Sequence, residues 1–193
     1  AQRMRFRRVT PENIGRLRGM PPREMLRHLR ISWWKTFLLA PRLRQRMAAE
    51  VGQIRLFPGG AAMLDALHRQ RVTLGVLTSN AESNVRRVLG PSAVYIQRWA
   101  CEVSMFGKRA RLRALLRATR LPRDRVLLVG DELRDAEAAR GSGVDFAAVT
   151  WGYTSRAALV AHGSTFLFDS LDQLVATLGG AGSQAPSQRS SRS

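Results

Sequence analysis

The chain reads as an α/β protein built on a parallel sheet, preceded by a small all-helical unit, and three observations predict this. From Phe57 onward, short apolar runs of strand length alternate with segments of helical period, the succession that a parallel sheet with helical crossovers requires. The run Val-Leu-Leu-Val-Gly-Asp-Glu-Leu-Arg-Asp (126–135) is an apolar strand ending in Gly and two carboxylates one helical turn apart. Open α/β folds place their ligands at such strand ends. From Thr10 to Val51, by contrast, there is no strand pattern, only apolar residues at helical spacing.

The helical unit begins at Thr10, which can cap a helix with Pro11 at its first position and Glu12 and Asn13 in the opening turn. Pro21-Pro22 starts a second helix with Met25, Leu26 and Leu29 on one face. A third segment carries Trp33, Trp34, Phe37 and Leu38, and Pro41 interrupts it before the turn with Leu43 and Met47. About four short helices are expected. Pro58-Gly59-Gly60 then opens a helix with Met63, Leu64 and Leu67 on one side, and Val72 to Leu77 is a strand stopping at Thr78-Ser79-Asn80. Glu82 to Leu89 is the next helix, Ala93 to Trp99 a short strand, Arg109 to Arg117 a helix and Val126 to Val129 a strand. Leu133 to Arg140 is helical, and Gly141 and Gly143 lead to a strand from Phe146 to Val149. Leu159 to Gly163, Phe166 to Phe168 and Leu171 to Leu178 close the fold. After Gly179 the composition collapses to Gly, Ser, Gln, Ala, Pro and Arg, which cannot bury enough surface to order itself. The expected division is therefore a helical unit over 1–56, an α/β core over 57–178 and a disordered basic tail over 179–193.

Composition narrows the partners. Thirty-two basic against 14 acidic residues give a formal charge of +18, and residues 1–58 hold fourteen basic side chains against Glu12, Glu24 and Glu50. This favours anionic partners and nonspecific nucleic-acid binding. Almost all of that charge is Arg, which a GC-rich genome would also produce, and no nucleic-acid reading motif accompanies it. The lone Cys101 excludes an internal disulfide and a zinc cluster and fits a reducing, cytoplasmic compartment. The basic first residues lead into no apolar signal region, and no apolar run approaches membrane-spanning length. The chain does not open on Met, so upstream sequence is expected to have been removed or not included.

Four polar positions stand at strand or helix ends. Asp131 and Asp135 are hard oxygen ligands suited to Mg²⁺ and, through it, a phosphate; equally, Asp131 is placed to cap the helix that follows, with Asp135 in its first turns. Thr78 lies between a strand and a helix, where its hydroxyl and the amides of Ser79 and Asn80 can form a phosphate-sized nest or an ordinary helix cap. Lys108 follows Phe106-Gly107 at a helix start, where the macrodipole disfavours a cation. It is one of two lysines among many arginines, and a compact ammonium suits a phosphoryl oxygen.

Taken in order, strand then Thr-Ser-Asn, Phe-Gly-Lys, and strand then Gly-Asp-Glu-Leu-Arg-Asp resemble the haloacid dehalogenase superfamily, and most closely its phosphoglycolate-phosphatase-like members. The likeness continues through Ala147-Ala148-Val149-Thr150-Trp151-Gly152-Tyr153 and spans about residues 5–175. It implies a Rossmann-like core whose cap is the helical unit, with a small phosphorylated metabolite as substrate and Mg²⁺ as cofactor. It further implies that Thr78 holds a transferring phosphoryl oxygen, that Lys108 neutralises nucleophile and phosphoryl group, and that Asp131 ligates the metal while Asp135 fixes the surrounding hydrogen bonds. Trp33, Trp34, Arg42 and Arg46 become cap candidates for facing substrate. The family's first motif, Asp-x-Asp at the end of a central first strand, has no counterpart, because no Asp precedes Asp65 and Asp65 falls within a helix. The expectation is a sheet lacking its central strand between the one ending at Thr78 and the one ending before Asp131, and a chain inactive by itself. The alternative is a noncatalytic anion- or nucleic-acid-binding protein acting through the cap arginines.

Overall fold

The computed structural model describes residues 7–32, 34–36, 41, 45, 51–104 and 106–180. Helix α1 (Pro11–Arg18) starts as expected, with the Thr10 N–H donating to Asn13 Oδ1 at 2.9 Å and Pro11 at the first position, where its missing N–H costs nothing. Helix α2 (Pro22–His28) follows, and Leu17, Leu26 and Leu29 are the buried side chains of this pair. Residues 34–36 are helical. Phe37, Leu38, Leu43 and Met47, on which the rest of the helical unit was to be built, lie outside the described residues.

The core begins with α3 (Gly60–Arg69), then β1 (Leu74–Leu77), α4 (Glu82–Leu89) and β2 (Ile96–Ala100). It continues with α5 (Lys108–Thr119), β3 (Leu127–Gly130), α6 (Leu133–Ser142) and β4 (Asp145–Val149), and closes with α7 (Arg156–Ala161), β5 (Phe166–Phe168) and α8 (Leu171–Gly180). Two expected boundaries move for local reasons. Strand β1 starts at Leu74 because Arg71 adopts φ +60° and the Val72 N–H closes onto Leu67 O at 3.0 Å, so Val72 still belongs to the end of α3. Ala93 to Tyr95 are not strand but the end of a 3₁₀ turn over Gly90–Tyr95, opened by Gly90 at φ +56° and by Pro91, whose fixed φ favours a turn. Val94 accordingly stands 77% exposed.

The strands are all parallel but form two sheets among the described residues, β1–β2 and β3–β4–β5. Strands β1 and β3 are each paired on one side only, so the sheet is split where a central strand was expected to be missing. Side-chain alternation gives the β3–β5 sheet two buried faces. Phe146 and Ala148 pack with Leu112, Leu133, Ala139 and Leu159 on one face, while Ala147 and Val149 pack with Leu67, Phe168 and Leu174 on the other. Strand β1 contributes to both, Leu77 to the first cluster and Leu74 to the second. Val129, in the middle of β3, remains 39% exposed, consistent with the open edge beside it.

Candidate functional site

Every candidate site residue of the core follows the C-terminal end of a parallel strand or opens the next helix. Thr78 leaves β1 and is stitched to the segment leaving β2: its N–H donates to Ala100 O at 2.9 Å, and its carbonyl accepts from the Val103 N–H at 3.0 Å. The Glu102 N–H in turn reaches Asn80 O at 2.9 Å. Neither Thr78 nor Ser79 caps α4, whose N-cap is Ala81. The Thr78 hydroxyl instead accepts from the Asn80 N–H at 3.2 Å, which engages that amide within the loop. The hydroxyl keeps its own proton to donate. Ser79 is half-buried in the same turn.

Lys108 is the first residue of α5 and is 9% exposed. An ammonium buried against the positive end of a helix is doubly unfavourable, and the chain resolves this with a carboxylate. The Lys108 ammonium donates to Asp135 Oδ1, both side chains being buried. Burial pushes the Asp135 carboxyl above its ordinary range, and the Lys108 ammonium opposes that shift without cancelling it. Gly130 makes room for the pair, since a Cβ there would stand 2.5 Å from Asp135 Oδ2. Gly107 is constrained in the same way by Ser104 Oγ at 2.6 Å.

Asp131 does not cap α6; Glu132 occupies the N-cap position. The Asp131 side chain turns to the loop after β4, where Oδ2 accepts from the Tyr153 N–H at 2.6 Å and the Asp131 carbonyl accepts from the Thr154 N–H at 3.1 Å. A Cβ on Gly152 would lie 2.1 Å from Asp131 Cβ, so only glycine lets this loop reach the carboxylate. Gly152 and the Tyr153 amide are thus site components that spacing alone did not assign a role. Their signal was the glycine two residues past the β4 strand, which is needed for close backbone approach.

The cap candidates fare differently. Trp34 is 50% exposed with the Lys35 ammonium 5.5 Å from its ring centre, and no described contact links it to the core site. Trp33, Arg42 and Arg46 lie outside the described residues. The expected Mg²⁺ finds only part of a site among the described residues. Asp131 has one oxygen free of the Tyr153 hydrogen bond, Glu132 is turned to the Arg134 guanidinium, and no group of three or more His, Cys, Asp or Glu gathers anywhere among them. One carboxylate falls short of what Mg²⁺ binding requires in the absence of further protein or substrate oxygens.

Residues 1–149 match the family model described as haloacid dehalogenase-like hydrolase. Phosphoglycolate phosphatase of Synechococcus elongatus is 29% identical over 169 residues, an overlap covering 86% of this chain and 80% of that protein. Phosphoglycolate phosphatase of Rhodospirillum rubrum is 31% identical over 129 residues, covering 64% of this chain and 53% of the relative, so the chain spans about half of that protein's length. A solved haloacid dehalogenase-like family hydrolase from Streptococcus pneumoniae superimposes with a TM-score of 0.68 at 17% identity, over 89% of this chain and 82% of that one, and shows the shared fold.

Proposed function

Because the chain belongs to the haloacid dehalogenase-like hydrolase family, we propose that its site binds the phosphoryl group of a small phosphomonoester, with Thr78, Ser79 and Lys108 as the groups that grip it. The carrying observation is the buried Lys108–Asp135 pair, at the same end of the sheet as Thr78 and Asp131. A cation held there at the cost of its hydration is a preorganised charge for an anion. In this reading Asp135 fixes the ammonium, the Thr78 hydroxyl donates to a phosphoryl oxygen, and the Ser79 and Asn80 loop shapes the nest. Asp131 offers one oxygen to Mg²⁺, and the contacts of Lys108 and Thr78 with phosphate stand without the ion.

In an intact relative the reaction would be attack by a carboxylate on phosphorus, an aspartyl-phosphate, and its hydrolysis. Asp65 cannot supply that attack, because it lies within α3 and is bonded to the Arg69 guanidinium and the Tyr95 hydroxyl. We propose accordingly that these 193 residues bind phosphate but do not turn over a phosphomonoester by themselves. The same reading takes 1–56 as the cap, 57–178 as the catalytic core and 179–193 as a tail, in a cytoplasmic protein. An assay with an aryl phosphate and Mg²⁺ should give no turnover above background. Inorganic phosphate should raise the melting temperature of the chain, and Lys108→Ala should abolish the rise. Turnover that disappears in Asp131→Asn would overturn the proposal and require another nucleophile.

A further inference from the structure

Two arginines of the helical unit are held over the rims of the core site. The Arg18 guanidinium, at the end of α1, lies 5.1 Å from the ring centre of Tyr153, whose own amide binds Asp131. The Arg23 guanidinium, in the first turn of α2, lies 6.0 Å from the ring centre of Phe106, two residues before Lys108. Between them, Gly19 sits against α7, where a Cβ would come 3.8 Å from Ala158 Cβ. The α1–α2 connection is therefore seated on the core at the two loops that carry Asp131 and Lys108.

Both rings are unusual in being 41% exposed, and both guanidinium groups are solvent-facing. No carboxylate among the described residues pairs with either, whereas Arg69, Arg86, Arg134 and Arg156 are each paired with one. Stacking occupies only the face of a guanidinium. Its in-plane N–H donors stay available in a fork that fits a carboxylate, and the ring beneath restricts its rotation in advance. A phosphoryl group held at Lys108 and Thr78 would place the rest of a small substrate beneath this connection.

Resting on the phosphate-binding reading above, we infer that Arg18 and Arg23 form a specificity subsite for a carboxylate on the leaving group, selecting small phosphomonoesters that carry a second negative charge. Ligands without that charge leave the two forks solvated and gain nothing from them.

The test measures binding of inorganic phosphate, 2-phosphoglycolate and ethyl phosphate to the full chain by calorimetry. The last two are of similar size and differ in the carboxylate. A charge-assisted contact of this kind corresponds to roughly tenfold or more in affinity, so 2-phosphoglycolate should bind about tenfold or more tighter than ethyl phosphate. Arg18→Gln combined with Arg23→Gln should bring that ratio to near one while leaving inorganic phosphate affinity unchanged. Arg117→Gln, which removes the same charge near the far end of α5, should leave the ratio intact and so separate a subsite from bulk charge. A ratio near one in the parent chain, or one that survives the double substitution, would overturn the subsite while leaving the phosphate site standing. Absence of any Lys108-dependent phosphate binding would remove the phosphate site and the subsite together.

Discussion

Lys108 and Asp135 show how a residue-level conflict identifies a site. A lysine at the opening of a helix looks misplaced in the sequence, and the structure supplies the reason it is tolerated: a buried carboxylate one strand away in the fold and 27 positions later in the chain. The carboxyl of Asp135 is raised by burial more than Lys108 lowers it. A carboxyl whose folded value lies above its unfolded value contributes stability that is present at low pH and is lost as pH rises through the folded value. The parent chain should therefore lose stability relative to Asp135→Asn as pH climbs from about 4, near the ordinary Asp value, toward neutrality. Melting temperatures of both proteins across that range check it, and a difference independent of pH would show that Asp135 titrates normally. The identities of Thr78, Lys108, Asp131 and Asp135 were legible because each stands at a strand end or helix start in a fixed order. That Asp131 answers to the Tyr153 amide, and Asp135 to Lys108, was not legible, since nothing local to either sequence segment encodes a partner on another strand.

At the scale of elements, strands and helices were readable wherever burial imposes a period, as in β4, where Phe146 and Ala148 face one cluster and Ala147 and Val149 the other. Reading failed where apolar residues are used without burial. Ala93-Val94-Tyr95 has strand composition, but Gly90 and Pro91 commit the backbone to a turn before any pairing begins. The split between β1 and β3 has its own expected signature. In a parallel sheet alternate N–H groups of a strand point to opposite sides, so β4, paired on both sides, should be the most protected strand in hydrogen exchange. The amides of β1 and β3 that face the split should exchange far faster than their neighbours bonded to β2 and β4. Uniformly strong protection across Leu74–Leu77 and Leu127–Gly130 would show that the sheet closes on itself without a further strand, and the reading of a missing central strand would be abandoned.

For the whole molecule, the site is assembled from both halves of the divided sheet. Thr78 belongs to the β1–β2 half, Asp131 and Asp135 to the β3–β5 half, and Lys108 begins a helix that packs against β1, β2 and α6 together. Supplying an upstream strand that ends in Asp-x-Asp should unite the halves and give turnover of a phosphomonoester in the presence of Mg²⁺. In that longer protein, Lys108→Ala should lower kcat by about 10², the scale of removing one preorganised charge contact. An inactive product with its sheet intact would place the defect elsewhere. The division also means that the Lys108–Asp135 pair is a clasp between two structural bodies, and that any anion touching both Thr78 and Asp131 becomes a second clasp. Occupancy and docking of the halves are then one equilibrium: a ligand at saturating concentration lends its binding free energy to cohesion, and loosening the halves weakens the ligand by the same factor. For this chain, affinity is a gauge of whether the molecule is in one piece.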